Sequence, residues 1–252
     1  MIKIRVLLCL AVMFSCSKSD MVIAQQLDGS PEPQVPQEQN KPNQDTTNQT
    51  NHFKILALGD SYTIGQSVCA TCRFPEQLKD SLKNNLENSD ISLEIIAQTG
   101  WTTTKLKEAI SNKNPSNDYD LVTLLIGVNN QYQQKDFSLY ETEFPELLNK
   151  AITLAYDNPK KVIVISIPDY AYTPFGQSRS NPSTISSELD AYNTFAKSHS
   201  ADRNVTFINI TNITREGLNN PFLVASDGLH PSQLAYTKFV ERLLPVSIEK
   251  LN

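Results

Sequence analysis

Apolar and polar positions divide the chain at about residue 53. Before that point, from residue 17 to about 52, Gln, Asn, Pro, Ser and Thr dominate, and apolar periodicity is almost absent after Leu27. After it, short apolar runs alternate with helical patterns. The runs at 53–58, 93–97, 121–126, 162–167 and 205–210 are β-branched or apolar and are bounded by turn or breaker residues, which predicts strands. Between them, 74–86, 103–111, 140–156 and 186–199 repeat apolar positions at spacings of three and four. A last helix is predicted from about Ser232 to Ile248. Strands alternating with helices predict an α/β domain over 53–252: a three-layer sandwich with a mostly parallel five-stranded sheet and helices on both faces. In such sheets, working residues sit at the carboxyl ends of the strands.

The polar stretch cannot bury enough apolar surface to fold. It is expected to be a tether, kept somewhat extended by Pro31, Pro33, Pro36 and Pro42. Ahead of it, Lys3 and Arg5 precede an apolar run from Val6 to Phe14 that is too short to span a bilayer, so residues 1–15 are expected to be an export signal. Ser15-Cys16 then resembles the lipobox of bacterial lipoproteins, although Met13 stands where Leu is usual. The resemblance implies that Cys16 is lipidated and holds the protein at the cell envelope, on the periplasmic face or at the cell surface. An ordinary cleaved signal releasing a soluble protein is the alternative.

Composition narrows the partners. A formal net charge of -5 without a dense Lys/Arg run argues against nucleic acid. Of four cysteines, Cys9 falls in the signal and Cys16 at its end, leaving Cys69 and Cys72 as a C-x-x-C. In an oxidising compartment this pair is expected to close a small disulfide after the first strand. A redox dithiol or half of a zinc site are the alternatives, and zinc would need two further ligands that no second C-x-x-C or close His pair supplies. No metal or cofactor is expected.

Candidate chemistry sits at both ends of the folded region. The first strand ends in Gly59-Asp60-Ser61-Tyr62, which puts a hydroxyl at a strand-to-helix turn beside free backbone N–H groups, a setting that suits a nucleophile. Just before the last helix stands Ser226-Asp227-Gly228-Leu229-His230-Pro231. Asp and His three residues apart can let a carboxylate accept from one imidazole nitrogen while the other faces a serine. Of the remaining histidines, His52 lies at the tether boundary and His199 at a helix end, where a structural role fits better. Gly100 follows the second strand, and Asn129 and Asn130 follow the third.

Ser, Gly, Asn and His, in this order and each at the end of a separate element, resemble the four blocks of the SGNH hydrolases, the GDSL-like lipases and esterases, over essentially all of 53–252. The resemblance implies their flavodoxin-like fold. It also implies ester hydrolysis by Ser61 as nucleophile, His230 as base and Asp227 as its orienting partner. The oxyanion donors would be the backbone N–H of Ser61 and Gly100 and the side chain of Asn129. Tyr62 replaces the common Leu and is expected, with Trp101, Tyr170 and Tyr172, to line the substrate wall. A short-acyl ester, small or polymeric and possibly on carbohydrate, is the expected substrate of a monomeric enzyme. A lipase or lysophospholipase, an acyltransferase on the same residues, or a catalytically silent carbohydrate-binding lipoprotein are the alternatives.

Overall fold

The computed structural model describes residues 50–252. The expected signal, Cys16 and the tether up to residue 49 lie outside the described residues. Five strands, β1 (Asn51–Gly59), β2 (Ser89–Ala97), β3 (Leu121–Leu125), β4 (Val162–Ile165) and β5 (Thr206–Ile208), form one sheet in the order β2-β1-β3-β4-β5. Every pairing is parallel. β3 and β4 are buried throughout, as their unbroken apolar runs require for strands covered on both faces.

Two strands start earlier than the apolar pattern predicts. Asn51 and His52 pair with Ser89 and Asp90, and the Asn51 N–H donates to Asn88 O at 2.7 Å. The ladder is made by backbone groups, so polar side chains at its exposed end do not stop it. His52 thereby falls inside β1, with Nδ1 3.3 Å from Asp90 Oδ2.

The helices are α1 (Ser61–Ile64), α2 (Phe74–Asn85), α3 (Thr103–Lys113), α4 (Val128–Tyr132), α5 (Phe137–Leu154), α6 (Pro174–Gln177), α7 (Pro182–Asp202), α8 (Thr211–Thr214) and α9 (Gln233–Leu251). α2 packs against α9, whereas α3, α5 and α7 pack in series. The chain steps one way from β1 to β2 and the other way from β2 through β3 and β4 to β5. With right-handed crossovers, that reversal puts α2 and the α3–α5–α7 group on opposite faces. The α5–α7 side is filled by an aromatic cluster in which the Tyr140 ring lies 4.5 Å from Tyr192 and 5.1 Å from Phe144. On the other side Phe74 meets Tyr236 at 6.2 Å.

This topology matters for the site. β1 lies between β2 and β3, so the direction of winding reverses at its carboxyl end and opens a crevice there. The segments leaving β1, β2 and β3 carry Ser61, Gly100 and Asn129.

Candidate active site

The turn that presents Ser61 is fixed by packing. A Cβ on Gly59 would lie 2.1 Å from Thr63 Oγ1 and 2.5 Å from the Leu125 carbonyl, so only glycine lets β1 pass this close to β3 and fold back into α1. Asp60 caps α1 by accepting from the Tyr62 N–H at 3.0 Å, and Gly65 closes it in the left-handed region at φ 77°. Ser61 is the first helical residue, where a backbone N–H has no intrahelical acceptor.

Asp60 itself is wholly buried, and its Oδ2 has no partner among the described residues. Burial pushes its carboxyl up to about 7, against the lowering effect of the Tyr62 N–H. The Tyr62 hydroxyl is also held well above its ordinary range, first by burial and then by the neighbouring Asp60 charge.

His230 is held by polar contacts. Its Nδ1 lies 2.6 Å from Asp227 Oδ2, and its N–H and that of Leu229 both donate to Asp227 Oδ1 at 2.9 Å. The Ser67 hydroxyl donates to Asp227 Oδ2 at 2.6 Å. Burial pushes the Asp227 carboxyl up, but donors from Ser67, His230 and Leu229 outweigh it and hold the group far below the usual carboxylate range. The segment is tied down at both ends: Ala225 N–H donates to His230 O at 2.8 Å, and Phe175 N–H donates to Gly228 O at 2.9 Å. The Tyr62 ring meets the imidazole edge-on at 5.8 Å.

Ser61, Gly100, Asn129 and His230 line one cleft of about 250 Å³ at the crevice. No hydrogen bond joins Ser61 to His230 among the described residues; a catalytic contact of this kind commonly tightens only when substrate is in place. Gly100 takes φ 84°, and a Cβ there would meet nothing within 4 Å. The glycine therefore serves the backbone conformation rather than packing. Of the two asparagines after β3, Asn130 is consumed by α3, accepting from the Thr103 N–H at 2.9 Å and donating to Thr103 Oγ1 at 2.7 Å. Asn129 donates one amide hydrogen to the Trp101 carbonyl at 3.0 Å, and the second hydrogen of that Nδ2 remains for another acceptor.

The expected aromatic wall is half present. Tyr62 and Tyr170 line the cleft, and the Tyr170 hydroxyl donates to Gln131 Oε1 at 2.8 Å. Trp101 and Tyr172 do not line it: Trp101 packs against the hydrophobic core and Tyr172 faces the Arg215 guanidinium at 5.9 Å. Their places are taken by Val128, Tyr132, Phe175 and Leu229, which the sequence pattern did not single out. Cys69 and Cys72 are joined as a disulfide with Cα atoms 4.9 Å apart, closing the loop between α1 and α2. No cluster of three or more His, Cys, Asp or Glu suited to a metal occurs among the described residues.

The profile of the GDSL-like lipase/acylhydrolase family matches residues 57–238. No curated protein matches the sequence. Among solved structures, the chain resembles an acetyl xylan esterase from Geobacillus stearothermophilus, with TM-score 0.59 at 19% identity, covering 79% of this chain and 96% of that one. It also resembles a lipase/acylhydrolase from Enterococcus faecalis, with TM-score 0.57 at 23% identity over 79% and 97% of the two chains. An esterase from Pseudoalteromonas gives TM-score 0.53 at 20% identity over 78% and 97%. At these identities the structures speak for the fold, while the profile spans most of the chain, including Ser61, Gly100, Asn129, Asp227 and His230. The chain therefore belongs to the GDSL-like lipase/acylhydrolase family and is a carboxylic ester hydrolase.

Proposed function

We propose that Ser61, His230 and Asp227 work as a Ser-His-Asp triad that hydrolyses short-acyl esters of a polar, carbohydrate-like alcohol. The observation that carries this reading is the His230–Asp227 pair at 2.6 Å, facing the same cleft as Ser61. His230 Nε2 takes the Ser61 proton as Oγ attacks the ester carbonyl. The carbonyl electron pair moves onto oxygen, where the N–H groups of Ser61 and Gly100 and the Asn129 amide receive it. Collapse expels the alcohol with the proton from His230 and leaves an acyl-serine. Water then repeats the sequence and releases the acid. Asp227, kept ionised by its four donors, holds the imidazole in the tautomer with hydrogen on Nδ1 and stabilises the cation that forms.

Cleft size supports a short acyl group. About 250 Å³ is below the range of roughly 300 to 1,000 Å³ that encloses drug-sized ligands, and it does not enclose a whole palmitoyl chain. Likeness to an acetyl xylan esterase agrees with an acetyl donor on a sugar. We further propose that Cys16 carries a lipid anchor, so that the tether presents this domain to polymers outside the cell; the Cys16→Ala protein should then fractionate as soluble.

Rates on p-nitrophenyl esters from acetate to palmitate, each below its micelle concentration, test the acyl reading. The maximum is expected between acetate and butyrate. A maximum at octanoate or beyond would move the assignment to a lipase or lysophospholipase.

A further inference from the structure

A second hollow of about 600 Å³ opens beside the catalytic cleft and shares two of its walls, Tyr132 and Tyr170. Its character is different. Where the cleft is lined by no Asp, Glu, Lys or Arg side chain, the hollow is rimmed by Lys135, Arg179 and Glu188.

The three charges are not equivalent. Glu188 is engaged, accepting from the Gln131 amide at 2.7 Å, and Gln131 in turn accepts from Tyr170. Arg179 and Lys135 make no ion pair with a carboxylate among the described residues. The Arg179 guanidinium lies 5.8 Å from the Tyr132 ring and 5.6 Å from the Phe175 ring, both of which line the catalytic cleft. Arg179 thus stands at the junction of the two spaces, and the hollow carries a net positive charge on a protein whose formal net charge is -5. Arg179 is exposed, and its guanidinium nevertheless lies over two rings that line the catalytic cleft.

We infer that the hollow is the site for the alcohol part of the ester, and that Arg179, assisted by Lys135, selects alcohols bearing a carboxylate, such as acetylated uronic acids, over neutral sugars. The inference rests on the triad reading given above and names the substrate class of that site. With the acyl group in the small cleft at Ser61, the leaving oxygen points past Tyr132 and Tyr170. Its sugar ring then has an aromatic face in Tyr132, which is 45% exposed, and amide and carboxylate acceptors in Gln131 and Glu188. A carboxylate on that ring meets a planar guanidinium that can bind it through two parallel hydrogen bonds.

The test compares two esters that differ only in that carboxylate: an acetylated methyl glucoside and the corresponding acetylated methyl glucuronoside. The ratio of their kcat/KM values within one enzyme preparation does not depend on the active fraction, so a partly unfolded variant cannot mimic the effect. The acidic ester is expected to be preferred by roughly fivefold or more, through KM, with the preference shrinking as salt rises. Arg179→Gln should reduce the ratio towards unity, Lys135→Gln should reduce it less, and Arg179→Lys should restore part of it. A wild-type ratio near unity, or one untouched by Arg179→Gln, overturns the inference while leaving the hydrolase reading intact. Turnover of p-nitrophenyl acetate with neither sugar ester accepted overturns it in the same way. Failure on all three esters would instead remove the triad reading on which it rests.

Discussion

The two halves of the candidate active site are held by different physics. Ser61 sits on a turn set by close packing: Gly59 has no room for a methyl group, and Asp60, Tyr62 and Thr63 are all buried. Asp227 and His230 sit on a segment set by hydrogen bonds, with Asp227 partly exposed and four donors on its carboxylate. Packing tolerates no added atom, whereas a hydrogen-bonded segment can lose a donor and keep its path. Substitutions at the packed residues around Ser61 should therefore cost folding, whereas those at the reacting and orienting groups, the Ser61 hydroxyl, Asp227 and His230, should cost chemistry.

The largest expected effects fall on the chemistry. His230→Ala should lower kcat by at least about 10⁴-fold, and Asp227→Asn by about 10³-fold, less than Ser61→Ala, because the carboxylate orients but does not attack. The melting temperature of His230→Ala should stay near that of the wild type, and a collapse of its stability would erase the contrast; Asp227→Asn should lose in addition the stability that the depressed carboxyl contributes. Gly59→Ala should show the converse. With its Cβ 2.1 Å from Thr63 Oγ1 and 2.5 Å from a backbone carbonyl, it is expected to lose about 3 kcal/mol or fail to fold, as read by urea denaturation.

Asp60 sharpens the comparison through pH. Its ordinary value is 3.8 and burial raises it to about 7. Below about pH 4 the group is protonated in both states and costs nothing. Between pH 4 and 7 the unfolded chain releases the proton while the folded chain keeps it, so stability falls as pH rises, by on the order of a few kcal/mol, and the loss is complete above 7. Asp60→Asn removes this dependence, so its stability relative to wild type should climb across that window in urea titrations at pH 4, 5.5, 7 and 8. A constant difference would contradict the assignment. Asp227 works in the opposite sense: its depressed carboxyl contributes stability that is present above pH 4 and lost as pH falls further, which the difference between the two proteins cancels.

Ser67 marks the smallest effect. It takes φ 68°, a left-handed conformation uncommon for serine, two residues before the Cys69–Cys72 disulfide, and it donates to the Asp227 oxygen that also faces His230. Ser67→Ala should lower kcat by roughly tenfold with KM little changed, since one hydrogen bond to a charged group is lost and the fold is not. An unaltered kcat would make the contact incidental.

The same division explains what could be read from the sequence. Strands covered on both faces write themselves as apolar runs, so β3 and β4 begin where the pattern predicts and end one and two residues short of it, and the sheet with its helical layers follows. The polar ends of β1 and β2 are not legible, because Asn51, His52, Ser89 and Asp90 are joined by backbone bonds that leave no trace in side-chain pattern. Ser61, Gly100, Asn129, Asp227 and His230 are legible only as a set, through the order of the four blocks, because Ser, Gly, Asn and Asp singly are ordinary residues at turns and helix starts. Walls are harder. Trp101 directly follows Gly100 and Tyr172 lies in the loop after the fourth strand, which predicts a place in the wall for both, but one packs on the core and the other faces Arg215. Tyr132 and Phe175 reach the cleft from short helices that carry no periodic signal. Ser67 meets Asp227 across 160 residues of sequence, which no local pattern encodes.

The account stands on Ser61 being a nucleophile activated by His230. Intact-protein mass spectrometry after brief exposure to a fluorophosphonate reads this directly. The account predicts one phosphonyl adduct on the wild type, mapped to the peptide containing Ser61, none on Ser61→Ala, and a strongly slowed reaction in His230→Ala. Labelling that persists in Ser61→Ala, or a wild type that stays unlabelled while hydrolysing p-nitrophenyl acetate, would contradict it.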